Sequence, residues 1–117
     1  MLLVCYPKCS TCKKTQGYLE NLNVEYDYRD IKEHNPSYEE LKLWHEKSGL
    51  DLKRFFNTSG LLYKSMELKD KLPLMSDEEK LQLLATDGML VKRPIAIGDD
   101  FVLVGFKEKE WDAVFKK

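Results

Sequence analysis

Tyr6-Pro7-Lys8-Cys9-Ser10-Thr11-Cys12-Lys13-Lys14 is the stretch on which the reading of this chain turns. It follows the apolar run Leu2-Leu3-Val4-Cys5-Tyr6 and leads into Thr15, Tyr18, Leu19 and Leu22 at helical spacing. A strand should therefore run into a helix, from Lys13 to Asn21, with two thiols at the junction. A cysteine at a helix N-terminus meets unpaired backbone N–H groups and the positive end of the macrodipole, and both favour a thiolate. Cys9 is the expected nucleophile, with a lowered pKa. Cys12 lies one turn later on the same face, placed to close a disulfide with Cys9 or to resolve a mixed disulfide, and no such lowering is expected of it. Lys8, Lys13 and Lys14 surround the thiols; they either support the charge on Cys9 or serve solubility as exposed lysines do. Ser10 and Thr11 hydrogen-bond the Cys9 thiolate, cap the helix, or do both.

Outward from this stretch, Val24-Glu25-Tyr26-Asp27-Tyr28 alternates apolar with charged residues and reads as a second strand. The resulting βαβ unit of about thirty residues implies parallel strands joined by a right-handed crossover. A polar turn through Arg29 to Pro36 follows. Ser37-Tyr38-Glu39-Glu40 is a capping box whose helix carries Leu41, Trp44, His45 and Ser48 and stops at Gly49, and Ser76-Asp77-Glu78-Glu79 repeats the device. Between them lie a short helix near Leu52 to Phe56, the turn Asn57-Thr58-Ser59-Gly60 and a weak helix near Tyr63 to Lys69. Ile95-Ala96-Ile97-Gly98 and Phe101-Val102-Leu103-Val104 read as a hairpin through Asp99-Asp100, with a closing helix from Glu108 to Phe115. The order is βαβ, helices, ββα, an α/β chain with a small mixed four-stranded sheet.

The bulk numbers bound the rest. At 117 residues, 43% hydrophobic and 33% charged, the chain has material for one core, so a single domain over residues 1–117 with a helical insertion at about 37–88 is expected. Its 19 basic and 20 acidic residues leave a net charge of −1, which provides no overall field to attract nucleic acid or an anionic membrane. Neither a signal peptide nor an apolar run near the ~20 residues of a membrane span is evident, which makes the cytoplasm the expected location; a monomer is the expected state. Three cysteines confined to the first twelve residues cannot staple the remainder of the chain.

Their spacing, Cys5-x-x-x-Cys9-x-x-Cys12, also fits the pattern by which radical S-adenosylmethionine enzymes hold a [4Fe–4S] cluster. Against that stand the short chain, the lack of a glycine-rich cofactor segment and the position of Cys5 inside an apolar strand. A zinc site needs four ligands, and neither His34 nor His45 stands at a recognisable spacing from the thiols, so no metal is expected. Cys5 is then read as a small buried hydrophobe, and Trp44, Trp111, Phe55, Phe56 and Phe115 as core.

The order of elements is that of a thioredoxin-type fold with helices inserted between its halves. With Tyr6-Pro7-Lys8-Cys9-Ser10-Thr11-Cys12-Lys13-Lys14, the helical insert and Lys92-Arg93-Pro94-Ile95, the chain resembles the ArsC-like family, which includes glutaredoxin-linked arsenate reductases and the Spx transcriptional regulators. The resemblance implies a cis proline at Pro94 beside the active thiol, no bound cofactor, and glutathione or another thiol as co-substrate through a glutaredoxin or thioredoxin system. The family's arsenate reductases look like a thiolate ringed by three arginines. Cys9 matches the nucleophile and Arg93 the arginine before the proline. The other two positions fall in Phe56-Asn57-Thr58-Ser59-Gly60 and Leu103-Val104-Gly105-Phe106, which contain no arginine, so efficient arsenate reduction is not expected. Spx proteins use a CxxC switch here and bind the C-terminal domain of the RNA polymerase α subunit through a surface that includes a glycine in the insert. Gly49 either occupies that position or simply ends its helix. The resemblance thus implies a thiol–disulfide oxidoreductase, with an Spx-like regulator as the alternative.

Overall fold

A computed structural model of the chain describes residues 1–116. Its elements are β1 (Leu2–Cys5), α1 (Ser10–Asn21), β2 (Asp27–Asp30), α2 (Tyr38–Ser48), α3 (Leu61–Ser65), α4 (Leu68–Lys71), α5 (Asp77–Leu84), β3 (Ile95–Ile97), β4 (Val102–Val104) and α6 (Glu108–Phe115). The sheet order is β2-β1-β3-β4. β1 runs parallel to β2 and antiparallel to β3, and β3 and β4 form an antiparallel hairpin.

Alternation along β1 divides the interior in two. Leu3 and Cys5 face one side, where they join Cys12 and Leu19 of α1, Ala96 of β3 and Trp111 of α6. Val4 faces the other side and joins Leu41, Trp44, Phe55, Leu84 and Ile95, so α2 to α5 cover the second face. Trp111 is held in place by its indole N–H, which donates to the Gly105 carbonyl at 2.9 Å. Among the described residues no helix is long and apolar enough to cross a membrane.

Both capping boxes form as the sequence implies, Ser37 with Glu40 and Ser76 with Glu79, and Gly49 ends α2 in the left-handed region at φ 68°. Three boundaries differ from the sequence reading. α1 starts at Ser10, because Cys9 is itself the N-cap. β2 lies at Asp27–Asp30 instead of Val24–Tyr28: Val24 donates its N–H to Leu19 at the end of α1, and pairing with β1 begins only at Asp27. The alternation at Val24 and Tyr26 reflects packing on the α1–α6 side. The weak helix after the turn is two short helices, α3 and α4, broken at Glu67 with φ 54°.

The insert is tied to β2 by Arg29. Its guanidinium forms a bidentate pair with Glu40 at 2.6 and 2.9 Å, donates to the carbonyls of His34 and Asn35, and lies 5.9 Å from the Trp44 ring centroid. Hydrogen bonds from Arg29, reinforced by the Ser37 N–H, push the Glu40 carboxyl down to about 2. A carboxyl depressed below its unfolded value of about 4.3 contributes stability above that pH and loses it as pH falls through the folded value. The Glu40 side chain is 37% exposed, so screening limits the contribution. Glu40→Gln should cost about 1 kcal/mol at pH 7, with the difference from the parent protein shrinking towards zero between about pH 4 and pH 2. Urea unfolding at pH 7, 4 and 2.5 checks this; a penalty independent of pH would mean that shape and not charge ties the insert to β2.

Candidate active site

β1 ends at Cys5, and the chain turns through Tyr6-Pro7-Lys8 so that the Cys9 N–H donates to the Tyr6 carbonyl at 3.0 Å. Cys9 then caps α1 in extended backbone, with φ −94° and ψ 121°, and its carbonyl accepts the Lys13 N–H at 3.2 Å. This places the Cys9 thiol half-buried at the start of the helix. Cys12, one turn further in, is buried against β1 beside Cys5, and all three cysteines are free thiols.

Cys9 opens on a cavity of about 590 Å³. Thr11 shares its wall, Asn57, Ser59, Gly60, Leu61 and Leu62 come from the insert, and Met89, Lys92 and Arg93 come from the segment leading into β3. The last two groups are brought together by a pairing that carries no strand signal in sequence. Phe56 bridges Val91, the Lys92 N–H donates to Phe55 at 2.8 Å, and the Asn57 N–H donates to Leu90 at 2.8 Å. Lys92 is thereby a second cation in the cavity, one that the sequence reading did not single out beside Arg93.

Arg93 is held by two contacts and leaves one buried donor over. Its guanidinium lies 5.3 Å from the Tyr6 ring centroid, its Nη1 donates to the Val91 carbonyl at 3.2 Å, and its buried Nε has no partner. The Arg93–Pro94 peptide bond is cis, as the family resemblance implies, and the buried Pro94 accepts the Gly105 N–H at 2.8 Å. Of the other residues singled out from sequence, Thr11 joins the cavity wall. Lys8, Ser10 and Lys13 are exposed and lie off it.

The electrostatics of the thiols correct one expectation. Cys12, not expected to be perturbed, is drawn well below the ordinary thiol range. The adjoining Cys5 side chain lowers it, which outweighs the penalty of burial, and the Tyr6 N–H at 3.4 Å, Cys9 and the Arg93 charge add to the effect. Cys5 moves the opposite way, pushed up by the adjoining Cys12 side chain and by burial. The reason lies in where β1 stops: with the ladder finished at Cys5, the Tyr6 N–H has no strand partner and points at the Cys12 sulfur. Among the described residues no group of three or more Cys, His, Asp or Glu side chains is arranged to hold a metal ion.

Comparison with known proteins agrees with this geometry. The ArsC family model matches residues 5–114. The uncharacterized protein YusI of Bacillus subtilis is 53% identical over 107 residues, 92% of this chain and 91% of that one. The global transcriptional regulator Spx of Enterococcus faecalis is 27% identical over 105 residues, 89% of this chain and 77% of its own length. Among solved structures, an ArsC family related protein from Bacteroides fragilis superposes with a TM-score of 0.94 at 52% identity, covering 97% of this chain and 95% of that one. A possible arsenate reductase from Streptococcus mutans gives 0.86 at 42% identity, covering 95% and 96%.

If Lys92 and Arg93 act on Cys9 through charge, removing either should slow its alkylation by anionic iodoacetate more than by neutral iodoacetamide. Arg93→Ala and Lys92→Ala are each expected to lower the ratio of the two rates about two- to fivefold, the range for a partly solvated ion pair. An unchanged ratio in both variants would show that the cations do not serve the thiol.

Proposed function

The chain belongs to the ArsC family, and on that premise we propose that it is a cysteine-based thiol–disulfide oxidoreductase. One observation carries the reading: a half-buried Cys9 opens on a cavity walled by Lys92 and Arg93, with a second thiol, Cys12, buried one helical turn behind it. In this reading the Cys9 thiolate attacks one sulfur of a substrate disulfide, forming a mixed disulfide and releasing the other half as a thiolate. Cys12 then attacks the Cys9 sulfur, the Cys9–Cys12 disulfide forms, and the second half leaves as a thiolate. Glutathione, alone or through glutaredoxin, or a thioredoxin system returns two electrons and restores the dithiol.

Arsenate is a poor fit for the same cavity. A multiply charged oxyanion needs several charge-assisted hydrogen bonds, each worth about 1.5–3 kcal/mol, whereas Asn57 is neutral and the Leu103–Gly105 segment offers no cation. Lys92 supplies a point charge without the fork of an arginine.

An Spx-like role is the second reading, favoured by the similarity to Spx over most of the chain and by the exposed Gly49 at the end of α2. In that role the same disulfide would switch a contact with the RNA polymerase α subunit. The left-handed conformation of Gly49 accounts for its presence without such a contact, so this reading stands behind the first. Turnover of glutathione disulfide in a coupled assay, set beside pull-down of polymerase by the oxidised and reduced protein, separates the two.

Two outcomes test the oxidoreductase. Cys12→Ser treated with glutathione disulfide should accumulate a mixed disulfide at Cys9, visible by intact mass, whereas Cys9→Ser should form none there and lose turnover. Retained turnover in Cys9→Ser, or no mixed disulfide at Cys9 in Cys12→Ser, would overturn the mechanism. Arsenate turnover should be weak and should rise about tenfold or more in Asn57→Arg, the gain expected from one charge-assisted bond. Robust arsenate turnover by the unaltered protein would contradict the reading of the cavity.

A further inference from the structure

Four separate segments of the insert converge on one cavity of about 180 Å³. The short turn of helix Leu52–Phe55 brings Lys53, α3 brings Tyr63, α4 brings Lys69 and α5 brings Lys80. None of the three lysines takes part in an ion pair among the described residues. We propose that this cavity is an anion site that takes a phosphoryl group, with the three ammonium groups and the Tyr63 hydroxyl as its donors. The site stands apart from the thiols and does not depend on their chemistry.

Tyr63 separates this cavity from a chance grouping of surface lysines. Its side chain is 7% exposed and belongs to the core on the insert side of the sheet, yet it lines the cavity, and its hydroxyl makes no hydrogen bond to any described residue. Nor is that oxygen sealed inside the protein. A buried phenol ordinarily finds a partner, and the partner that this position leaves is what occupies the cavity. Tyr63 and Lys69 also line a neighbouring cavity, but there Lys64 and Lys69 are matched by Glu67 and Asp70 and the charge balances.

In the proposed site the charge does not balance. Three lysines meet one carboxylate, Asp51, which already accepts the Lys53 N–H at 2.9 Å as the cap of its turn. In a chain whose net charge is −1, that is a local positive excess, and a bound anion offsets the repulsion within it. The rest of the lining, Leu72 and Pro73, is apolar and strengthens each electrostatic contact. Lysines serve a phosphate as point charges, and three of them with a hydroxyl can meet separate oxygens of a tetrahedral group. A carboxylate has two oxygens, fewer than the donors on offer. A cavity of about 370 Å³ shares Asp51 and Lys53 with this site and Lys92 with the Cys9 cavity, so the two sites are neighbours across Lys53 and Lys92.

The test is binding and needs no turnover. Inorganic phosphate added to the intact protein at fixed ionic strength should shift the backbone amide resonances of Lys53, Tyr63, Lys69 and Lys80 along one saturating curve in the millimolar range, leaving Lys109, exposed on α6, unmoved. Lys69→Met and Lys80→Met should each weaken binding about tenfold, and Tyr63→Phe, which keeps the ring in the core, about threefold or more. Asp51→Asn, which keeps the cap and removes the carboxylate, should tighten it. Glycerol phosphate distinguishes the sources of the group: binding as tight as phosphate or tighter assigns the site to the phosphoryl end of a larger ligand, and weaker binding assigns it to the free ion. Shifts that rise without saturating, or that spread equally to Lys109, would reduce the effect to screening of surface charge and overturn the proposal with no variant needing to fold. Unchanged affinity in Tyr63→Phe would overturn it as well.

Discussion

A strand buried on both faces leaves its last backbone donor with nowhere to go unless the chain beyond it provides an acceptor, and β1 meets that constraint at Tyr6. Leu3, Val4 and Cys5 have no accessible surface, and ladder pairing stops at Cys5 opposite Asp30. The acceptor is the Cys12 sulfur. Satisfying one backbone N–H therefore fixes how α1 returns onto the sheet, and that return places Cys9 at the helix N-terminus with its thiol on the open side. The geometry of the site is a consequence of strand termination.

The far wall of the site depends on a different set of forces. Arg29 anchors the start of the insert to β2, and Asn35 donates to Ala85 at 2.6 Å near its end. Gly88 closes the loop by close approach: a Cβ there would lie 2.2 Å from the Ile31 carbonyl oxygen, so only glycine lets the chain pass the end of β2 on its way to β3. Once the insert is held at both ends, residues 55–57 can pair with residues 90–92, and Asn57 and Lys92 arrive at the cavity together.

Most of the fold was legible in the sequence because its signals are local. The capping boxes, the αL glycine at the end of α2, the hairpin around Asp99-Asp100 and the closing helix are each written in a few adjacent residues, and each forms. β2 was misplaced because the alternation at Val24 and Tyr26 arises from packing on α1, which sequence periodicity cannot distinguish from a ladder. At the site, Cys9, Cys12 and Arg93 were readable from motif and resemblance. Lys92 was not, since its role depends on a pairing of one bridge and two hydrogen bonds between segments far apart in the chain. Cys5 looked like a small hydrophobe because sequence shows its apolar neighbours and hides the sulfur it touches across the turn.

Charge placement then indicates which chemistry the site suits. A thiolate carries one negative charge that is spread over a large sulfur, and it can be held by weak donors, here one backbone N–H and a guanidinium at a distance. An oxyanion concentrates its charge on small oxygens and calls for forked donors in direct contact. Here the one arginine in the cavity is already engaged, stacked on Tyr6 and bonded to Val91, and the facing residue from the insert is the neutral Asn57. One engaged arginine, one lysine and a neutral Asn57 thus leave the cavity short of the forked donors that an oxyanion calls for, whereas the single charge of a thiolate at Cys9 makes no such demand, and that difference is why thiol–disulfide exchange is the reading proposed for it.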